Sequence, residues 1–543
     1  MAARSRYRHH LLAAAAAAAL VIVAAVPAAA AKPAPLAWGP GAPLFVDPAS
    51  TTVQAAAGLS GDAKDDANLL AQFPTATWLT KGTPQQVQTA ARAVVTAAQS
   101  QGTVPVLVAY FLPNRDCGQY SAGGAQSTAQ YKAWIDGLAK GIGDAPAAVI
   151  LEPDGLGLIP NYVSPLDGSS NCSIPGVDPA NRFVELNYAV DALGAKRGTA
   201  VYLDATHTGW QNVGESAQRL LKAGVQRADG FFLNVSNYQR TENQVAYGRW
   251  VSSCIALAAR DSAADPAAYG GFNGCGNQYW NGGPDTGWSG TAMDNTQVWR
   301  TAPYSGNPAD LAWNTVGIDS RYASQLGTTA PTTHFVIDTS RNGQGPWTGG
   351  SQYSDRQDWC NPPGRGLGVA PTTSTGYALA DAFLWVKVPG ESDGQCTRGT
   401  GGTTDPEWGG IVDPAAGAWF VQQADQLITL AAPAVTQPCR VAYTVHGSWP
   451  GGFTAQVWLT NTGTRALNGW NMRWAFTHGE SVAQMWSAAP TQADATVQAA
   501  NLGYNQVVKP GQTITFGFNG AIARGSSPAA PTSFAVNGFT CTA

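Results

Sequence analysis

The chain has 543 residues, a formal net charge of −4 and only 12% charged residues. It is long enough for two or more domains, and so sparse a charge supplies no field to draw in nucleic acid or a membrane surface. The 19 tryptophans, in a Gly-rich chain, suit stacking on the apolar C–H faces of sugar rings as well as core packing.

The first segment has the pattern of a targeting signal. Arg4, Arg6 and Arg8 form a basic n-region, 11–26 is an Ala/Val/Leu run, and 28–31 offers an A-x-A cleavage site. Residues 1–31 are therefore expected to be a signal peptide, without the Arg-Arg pair of the twin-arginine route. The mature chain is expected to be secreted and extracellular. No later stretch is apolar enough to span a bilayer, so no membrane is expected as a partner.

From residue 39 the pattern alternates. Thr83-Pro84 reads as the N-cap and first residue of a helix to about Ser100. Residues 105–111 (PVLVAYF) read as a strand and 131–140 as an amphipathic helix. Residues 149–151 suit a strand buried on both faces, ending at Glu152-Pro153-Asp154 because proline cannot donate to a ladder. Asp178-Pro179 opens a helix to about Lys196; strand 199–203, helix 215–223 and strands 230–233, 334–337 and 383–387 follow. This alternation predicts βαβ units around a parallel sheet, an α/β fold.

Three stretches break the rhythm. Residues 240–304, rich in Gly, Asn and Trp and holding Cys254 and Cys275, are expected to be a long loop insertion on the cleft side. Residues 345–368 and 388–410 are irregular and Gly-rich, and loops of such length are usually functional. Residues 432–438 read as a short linker stiffened by Pro433 and Pro438. Beyond it, Val/Thr/Phe alternation with turn residues about every 8–12 positions predicts an all-β sandwich over 439–543.

Tyr110, Asp116, Asp154, Asp204, His207, Asn234, Asp338, Arg341, Lys387 and Asp393 each follow a predicted strand. One such residue alone would read as a cap or turn. Together, on the same side of successive strands, they favour a cleft at the carboxyl face of a barrel. The eight cysteines pair by nearest neighbour as Cys117–Cys172, Cys254–Cys275, Cys360–Cys396 and Cys439–Cys541, as an even count in an exported chain suggests. No C-x-x-C occurs and histidines are scattered, so neither a metal nor another cofactor is expected.

Residues 108–117 (VAYFLPNRDC) and 149–154 (VILEPD) resemble the two signatures of glycoside hydrolase family 6, the cellulases that invert at the anomeric carbon. Further matches are His207-Thr-Gly-Trp210, Asp358-Trp359-Cys360-Asn361 and 385–394 (WVKVPGESDG). The resemblance covers 39–431 and implies a distorted (β/α) barrel of fewer than eight strands. It implies that Asp154 is the general acid, that Asp116 raises its pKa, and that Tyr110 lies under the distorted sugar. Asp393 matches the disputed base, with Lys387 and Glu391 beside it. Trp210 and Trp359 match sugar-stacking tryptophans, and Phe45 stands where a relative carries Trp. Asp204, His207, Asn234, Asn237 and Arg341 complete the expected substrate-binding set. Cys117–Cys172 and Cys360–Cys396 match the family disulfides. Gly155, Ala122 (beside Ser121) and Val213 depart from the family pattern.

Such chemistry needs a protonated carboxyl on one face of the sugar and a base-activated water on the other. A neighbouring carboxylate keeps the acid protonated. The C-terminal stretch resembles a family 2 cellulose-binding module, with Trp449, Trp486 and Tyr504 as its exposed coplanar aromatics and Trp458, Trp470 and Trp474 expected in its core. The resemblance implies a monomer whose partners are cellulose and cello-oligosaccharides. If 240–304 and 388–410 roof the cleft, the enzyme is an exo-acting cellobiohydrolase working from non-reducing ends. The alternatives are an endoglucanase and an inactive cellulose-binding protein; Asp154, Asp116 and Asp393 together count against the latter.

Overall fold

The structure, a computed structural model, describes residues 38–279, 292–301, 303, 305, 307–463 and 465–542. The expected signal peptide, residues 1–31, lies outside them, as does part of 240–304. Among the described residues no helix is long and apolar enough to cross a membrane.

Two short helices come first, α1 (Thr51–Ala57) and α2 (Gly61–Leu70). Seven strands then alternate with helices: β1 (Thr77–Leu79), α3 (Pro84–Ser100), β2 (Val106–Ala109), α4 (Thr128–Ile142), β3 (Ala147–Leu151), α5 (Ala180–Gly194), β4 (Thr199–Asp204), α6 (Val213–Lys222), β5 (Gly230–Leu233), α7 (Thr241–Asp261), α8 (Val316–Leu326), β6 (His334–Asp338), β7 (Ala380–Leu384) and α9 (Val421–Thr429). The strands pair in chain order, all parallel. The sheet curls into a half-barrel. Across its open seam the Ala76 N–H donates to Trp385 O (3.1 Å) and the Trp78 indole to Val386 O (2.8 Å).

The predicted alternation is present, with α1, α2, β1, α8 and α9 added. Thr83 caps α3 in a full capping box with Gln86. The last strand ends earlier than the expected 383–387, because the Val386 and Lys387 N–H groups turn to the Asp338 carboxylate. Residues 240–304 are not one loop insertion. Their first third is α7, whose Tyr247, Trp250, Val251 and Cys254 are buried in the barrel's outer core. Gly248 lets it approach β6: a Cβ there would lie 2.7 Å from the Phe335 ring. A glycine-tolerant, Trp-bearing helix hid its 3.6-residue period behind an irregular composition.

The C-terminal module stacks a four-stranded sheet against a five-stranded one. The first is β12 (Ser481–Trp486), β16 (Thr513–Ala521), β9 (Gly452–Asn461) and β8 (Cys439–Trp449). The second is β13 (Ala489–Ala493), β14 (Thr496–Ala500), β11 (Asn471–Ala475), β17 (Ala535–Val536) and β18 (Phe539–Thr540). Two short strands, β10 (Leu467–Asn468) and β15 (Val507–Val508), form a separate pair. Trp470, Trp474, Phe516 and Phe518 fill its core. The four disulfides are the nearest-neighbour pairs.

Helices α3 and α4 touch through glycines. A Cβ on Gly137 would lie 2.2 Å from Pro84 O, and one on Gly141 2.6 Å from Gln88 O. Gly137→Ala is expected to cost about 1–3 kcal/mol by overpacking, more than the helix propensity it gains. A denaturant midpoint equal to or above wild type would contradict this contact.

Candidate active site

The carboxyl ends of the strands surround a cleft of about 930 Å³. Its floor comes from the turn after β3. Glu152 and Asp154 both take left-handed backbone (φ 57° and 62°), which turns their side chains apart. Such strain in non-glycine residues persists only where the surroundings impose it. Here Glu152 points down, and its carboxylate accepts the N–H groups of Phe111 (2.8 Å) and Leu112 (3.1 Å) at the end of β2. Asp154 lines the cleft. Gly155 follows because a Cβ there would lie 2.6 Å from Glu152 O. Asp204, at the end of β4, holds the same turn by accepting the N–H groups of Leu156 and Gly157 (both 3.1 Å) and of Thr206 (2.8 Å).

The β2 side supplies Tyr110 and Asp116. Tyr110 lies edge-on to Trp78 (5.4 Å between centroids), with the Arg115 guanidinium 4.5 Å over its ring. Asp116 accepts the Ser121 N–H (2.8 Å), and the next residue is tied down by the Cys117–Cys172 disulfide. The β7 side supplies Asp393. Both its oxygens are held by Arg341 (2.9 Å each), with Lys387 Nζ at 3.3 Å, the Tyr238 hydroxyl at 3.0 Å and the Asn361 N–H at 2.9 Å.

These environments separate the carboxyls. Burial first, then the charges of Asp204, Asp116 and Asp393, push the Asp154 carboxyl well above its ordinary range. Burial also raises Asp393, but Arg341 and Lys387 outweigh it and leave that group at about 2. Burial lifts Asp204 to about 6 against its three N–H donors, and it raises Asp116. His207, pushed down to about 3 by burial, is neutral and accepts the Gly209 N–H (3.1 Å) on Nδ1.

The cleft brings together Tyr110, Asp116, Asp154, His207, Trp210, Asn237, Trp359, Lys387, Glu391 and Asp393. Phe45, Asp204, Asn234 and Arg341 are buried behind its wall. Phe45, expected as a sugar platform, is buried and does not line the cleft, and its N–H pairs with Val104 O. Asn234 spans from Asp338 O (2.9 Å) to the Gln239 N–H (3.0 Å), and Arg341 is spent on Asp393 and Ser236 O. These three polar residues hold loops in place from behind the cleft lining. Val213 starts α6 in the core. Residues that the sequence reading passed over also line the cleft: Thr51, Trp78, Tyr120, Tyr238 and Trp347. Trp78 is the middle residue of a strand of only three residues, too short to be seen by alternation.

Among the described residues the one group of His, Cys, Asp and Glu close enough to share an ion is Cys396, Asp405 and Asp413. Cys396 is in a disulfide and Asp405 is paired with Arg398 (2.6 Å), so this set is already committed.

On the module, Trp449, Trp486 and Tyr504 are 51%, 39% and 75% exposed. Cross-strand register puts Trp449 opposite Gly452 and Trp486 opposite Gly517 on the outer face of the four-stranded sheet. A Cβ on Gly452 or Gly517 would lie 2.6 or 2.4 Å from the facing indole, so the glycines let the rings lie flat on the sheet. Trp470 and Trp474 are core, but Trp458 is not. It alternates outward with Thr454 and Gln456, against inward Phe453, Ala455, Val457 and Leu459.

A family model described as "Glycosyl hydrolases family 6" matches residues 40–431, and one described as "Cellulose binding domain" matches 439–541. The chain is 31% identical over 497 residues to "Endoglucanase A" of Thermobispora bispora, covering 88% of this chain and 89% of that protein. It is 29% identical over 397 residues to the "Probable 1,4-beta-D-glucan cellobiohydrolase C" of Aspergillus terreus, covering 68% and 69%. The structure of the endoglucanase Cel6 from Mycobacterium tuberculosis is similar at 31% identity and a TM-score of 0.49, over 72% of this chain and 98% of that one.

Two outcomes follow from this geometry. Removing a neighbouring charge lowers the pKa of Asp154, so Asp116→Asn or Asp204→Asn should move the alkaline limb of the kcat/KM profile to lower pH; an unmoved limb in a folded variant would leave both as structural caps. Trp486→Ala should weaken adsorption to cellulose by about 1–3 kcal/mol, the loss of one stacking ring, with the thermal unfolding midpoint unchanged.

Proposed function

The chain belongs to glycosyl hydrolase family 6 and is a cellulase, and on that premise we propose that it cleaves β-1,4-glucosidic bonds with inversion, using Asp154 as the general acid. The observation that carries this is the state of Asp154: raised by burial and by three neighbouring carboxylates, at the floor of an aromatic-lined cleft. A carboxyl so placed keeps its proton near neutral pH and can pass it to the leaving oxygen. Tyr110, Trp78, Trp210, Trp359 and Trp347 supply ring faces and edges for sugars.

The proton of the attacking water needs an acceptor. Asp393 is ionised and lines the cleft, and is our first candidate. Its five donors make it a weak base, since proton acceptance falls with pKa. That saturation favours a second reading, in which Asp116, holding a single backbone N–H, receives the proton.

For the mode of action we propose exo attack, releasing cellobiose from non-reducing ends. Loops after β2, β6 and β7 meet at the cleft: Tyr120 reaches the Trp359 ring (5.8 Å) and packs against Gly394. The Cys360–Cys396 disulfide and the buried Arg398–Asp405 pair stiffen the β7 side of this wall. The endoglucanase reading is favoured by the names of several relatives and by α7, which removes a third of the chain once counted as roof. The four disulfides support secretion, with the enzyme working outside the cell.

Asp154→Ala should cost about 100- to 10,000-fold on cello-oligosaccharides and far less on a substrate whose leaving group needs no protonation. Equal losses on both would reject the acid assignment. On carboxymethylcellulose an exo enzyme releases reducing sugar with little loss of viscosity; a steep early fall in viscosity would replace the exo reading with the endo one.

A further inference from the structure

The C-terminal module does not hang from its linker. Arg473 of β11 reaches Asp62 (2.9 Å) and Asp65 (3.2 Å) on α2, and Asn471 donates to the other oxygen of Asp65 (2.7 Å). Asn468 of β10 donates to Asp47 O and Gln506 to Pro48 O, both at 2.9 Å. The Arg465 guanidinium lies 4.5 Å over the Phe73 ring. Asp65, Asn68, Asn468 and Asn471 are all buried. Behind these polar contacts is an apolar core: Phe539 of β18 and Val435 of the linker pack on Leu69, Leu70, Phe73, Trp385 and Leu427. Gly469, at φ +91°, passes so close to α2 that a Cβ would lie 2.8 Å from Asn68 Oδ1. Domains joined by a small polar contact move independently, whereas a contact with a hydrophobic core and buried paired charge holds them together.

This docking surface is continuous with the cleft. Asp47 and Pro48, whose carbonyls the module holds, lead through the Ser50 cap into Thr51. The Thr51 hydroxyl donates to Glu391, and both residues line the cleft. Phe73 stacks on Trp385 (4.6 Å), whose carbonyl closes the open seam with Ala76. The module thus braces the one side of the half-barrel that has no neighbouring strand.

We propose that the C-terminal module is a docked, positioning part of the catalytic body, which holds the Thr51–Glu391 wall of the cleft in place, in addition to gripping cellulose. The full-length enzyme then unfolds as one unit, and undocking the module disturbs hydrolysis even of soluble oligosaccharides that need no anchor.

The test uses the full chain. Arg473→Glu sets a negative charge against Asp62 and Asp65. The variant should split the single calorimetric transition of wild type into two, expose 432–438 to limited proteolysis, and raise KM for cellohexaose roughly three- to tenfold with a smaller change in kcat. Adding Asp62→Lys should restore part of both the protease resistance and the KM. Arg465→Ala, at an exposed position, gives a milder second variant should Arg473→Glu fail to fold, and it should show the same changes in smaller measure. Two independent transitions in wild type, or variants that lose protease resistance with unchanged cellohexaose kinetics, would overturn the proposal. The calorimetric and proteolytic arms do not depend on what the enzyme hydrolyses; the kinetic arm rests on the cellulase reading and is scored only on substrate that wild type cleaves.

Discussion

The constraint on which the structure turns is a parallel sheet that curls without closing. Seven strands leave β1 and β7 as edges, and an open edge must be paired or covered. The chain just after β7 is tied to β1 by hydrogen bonds from Ala76, just before that strand, and from the Trp78 indole within it. The gap above them is the cleft. One wall comes from Trp78 of β1 and from the loop after β2, carrying Tyr110 and Asp116; the other from the loop after β7, carrying Lys387, Glu391 and Asp393. Outside the seam, α2 and α9 lay Leu69, Phe73, Ala424 and Leu427 over Trp385. A closed barrel would have needed neither the cover nor the loops that cross it.

Around that gap the carboxyls of Asp204, Asp116 and Asp393 crowd that of Asp154, and electrostatics allows few of the four a full charge. The distribution of donors decides which. Asp393 takes two cations and two further hydrogen bonds, Asp204 three backbone N–H groups, and Asp116 one with Arg115 nearby. Asp154 has no donor among the described residues acting on it, and carries the repulsion of the other three. The group that can give up a proton is thus defined by what its neighbours were given. The strained backbone at Glu152 and Asp154 serves the same end, because Glu152 anchors the turn from beneath while Asp154 is kept free above.

The order of the strands was legible because their apolar runs are bounded by Gly, Pro and caps such as Thr83. The strand-end position of the cleft residues followed from that order. What was not legible has physical reasons. Three-residue β1 shows no period, which hid Trp78. Helix α7 is amphipathic over residues whose types suggest a loop. Asn234, Asp204 and Arg341 have the residue types of substrate contacts, and only the fold reveals that they lie behind the wall, with the Asn234 amide, the Asp204 carboxylate and both terminal nitrogens of Arg341 bonded to protein. Trp458 is different: the alternation of Phe453, Ala455, Val457 and Leu459 points it outward, and the strand pattern alone could have said so.

The same accounting of polar groups links the two domains. A buried aspartate such as Asp65 is costly unless paired, and its partners, Arg473 and Asn471, come from the other domain. Neither domain's own sequence explains why α2 should bury a carboxylate, or why β11 should place Arg473 and the buried Asn471 on one strand of the module. Seen from the interface, each residue answers the other, and Phe539 packs against the apolar cluster that holds Phe73 and Leu70, which lowers the local dielectric around the pair. The covering of the open seam therefore continues past α2 into the module. The segment that enters α1 is caught between the module on one side and Glu391 on the other.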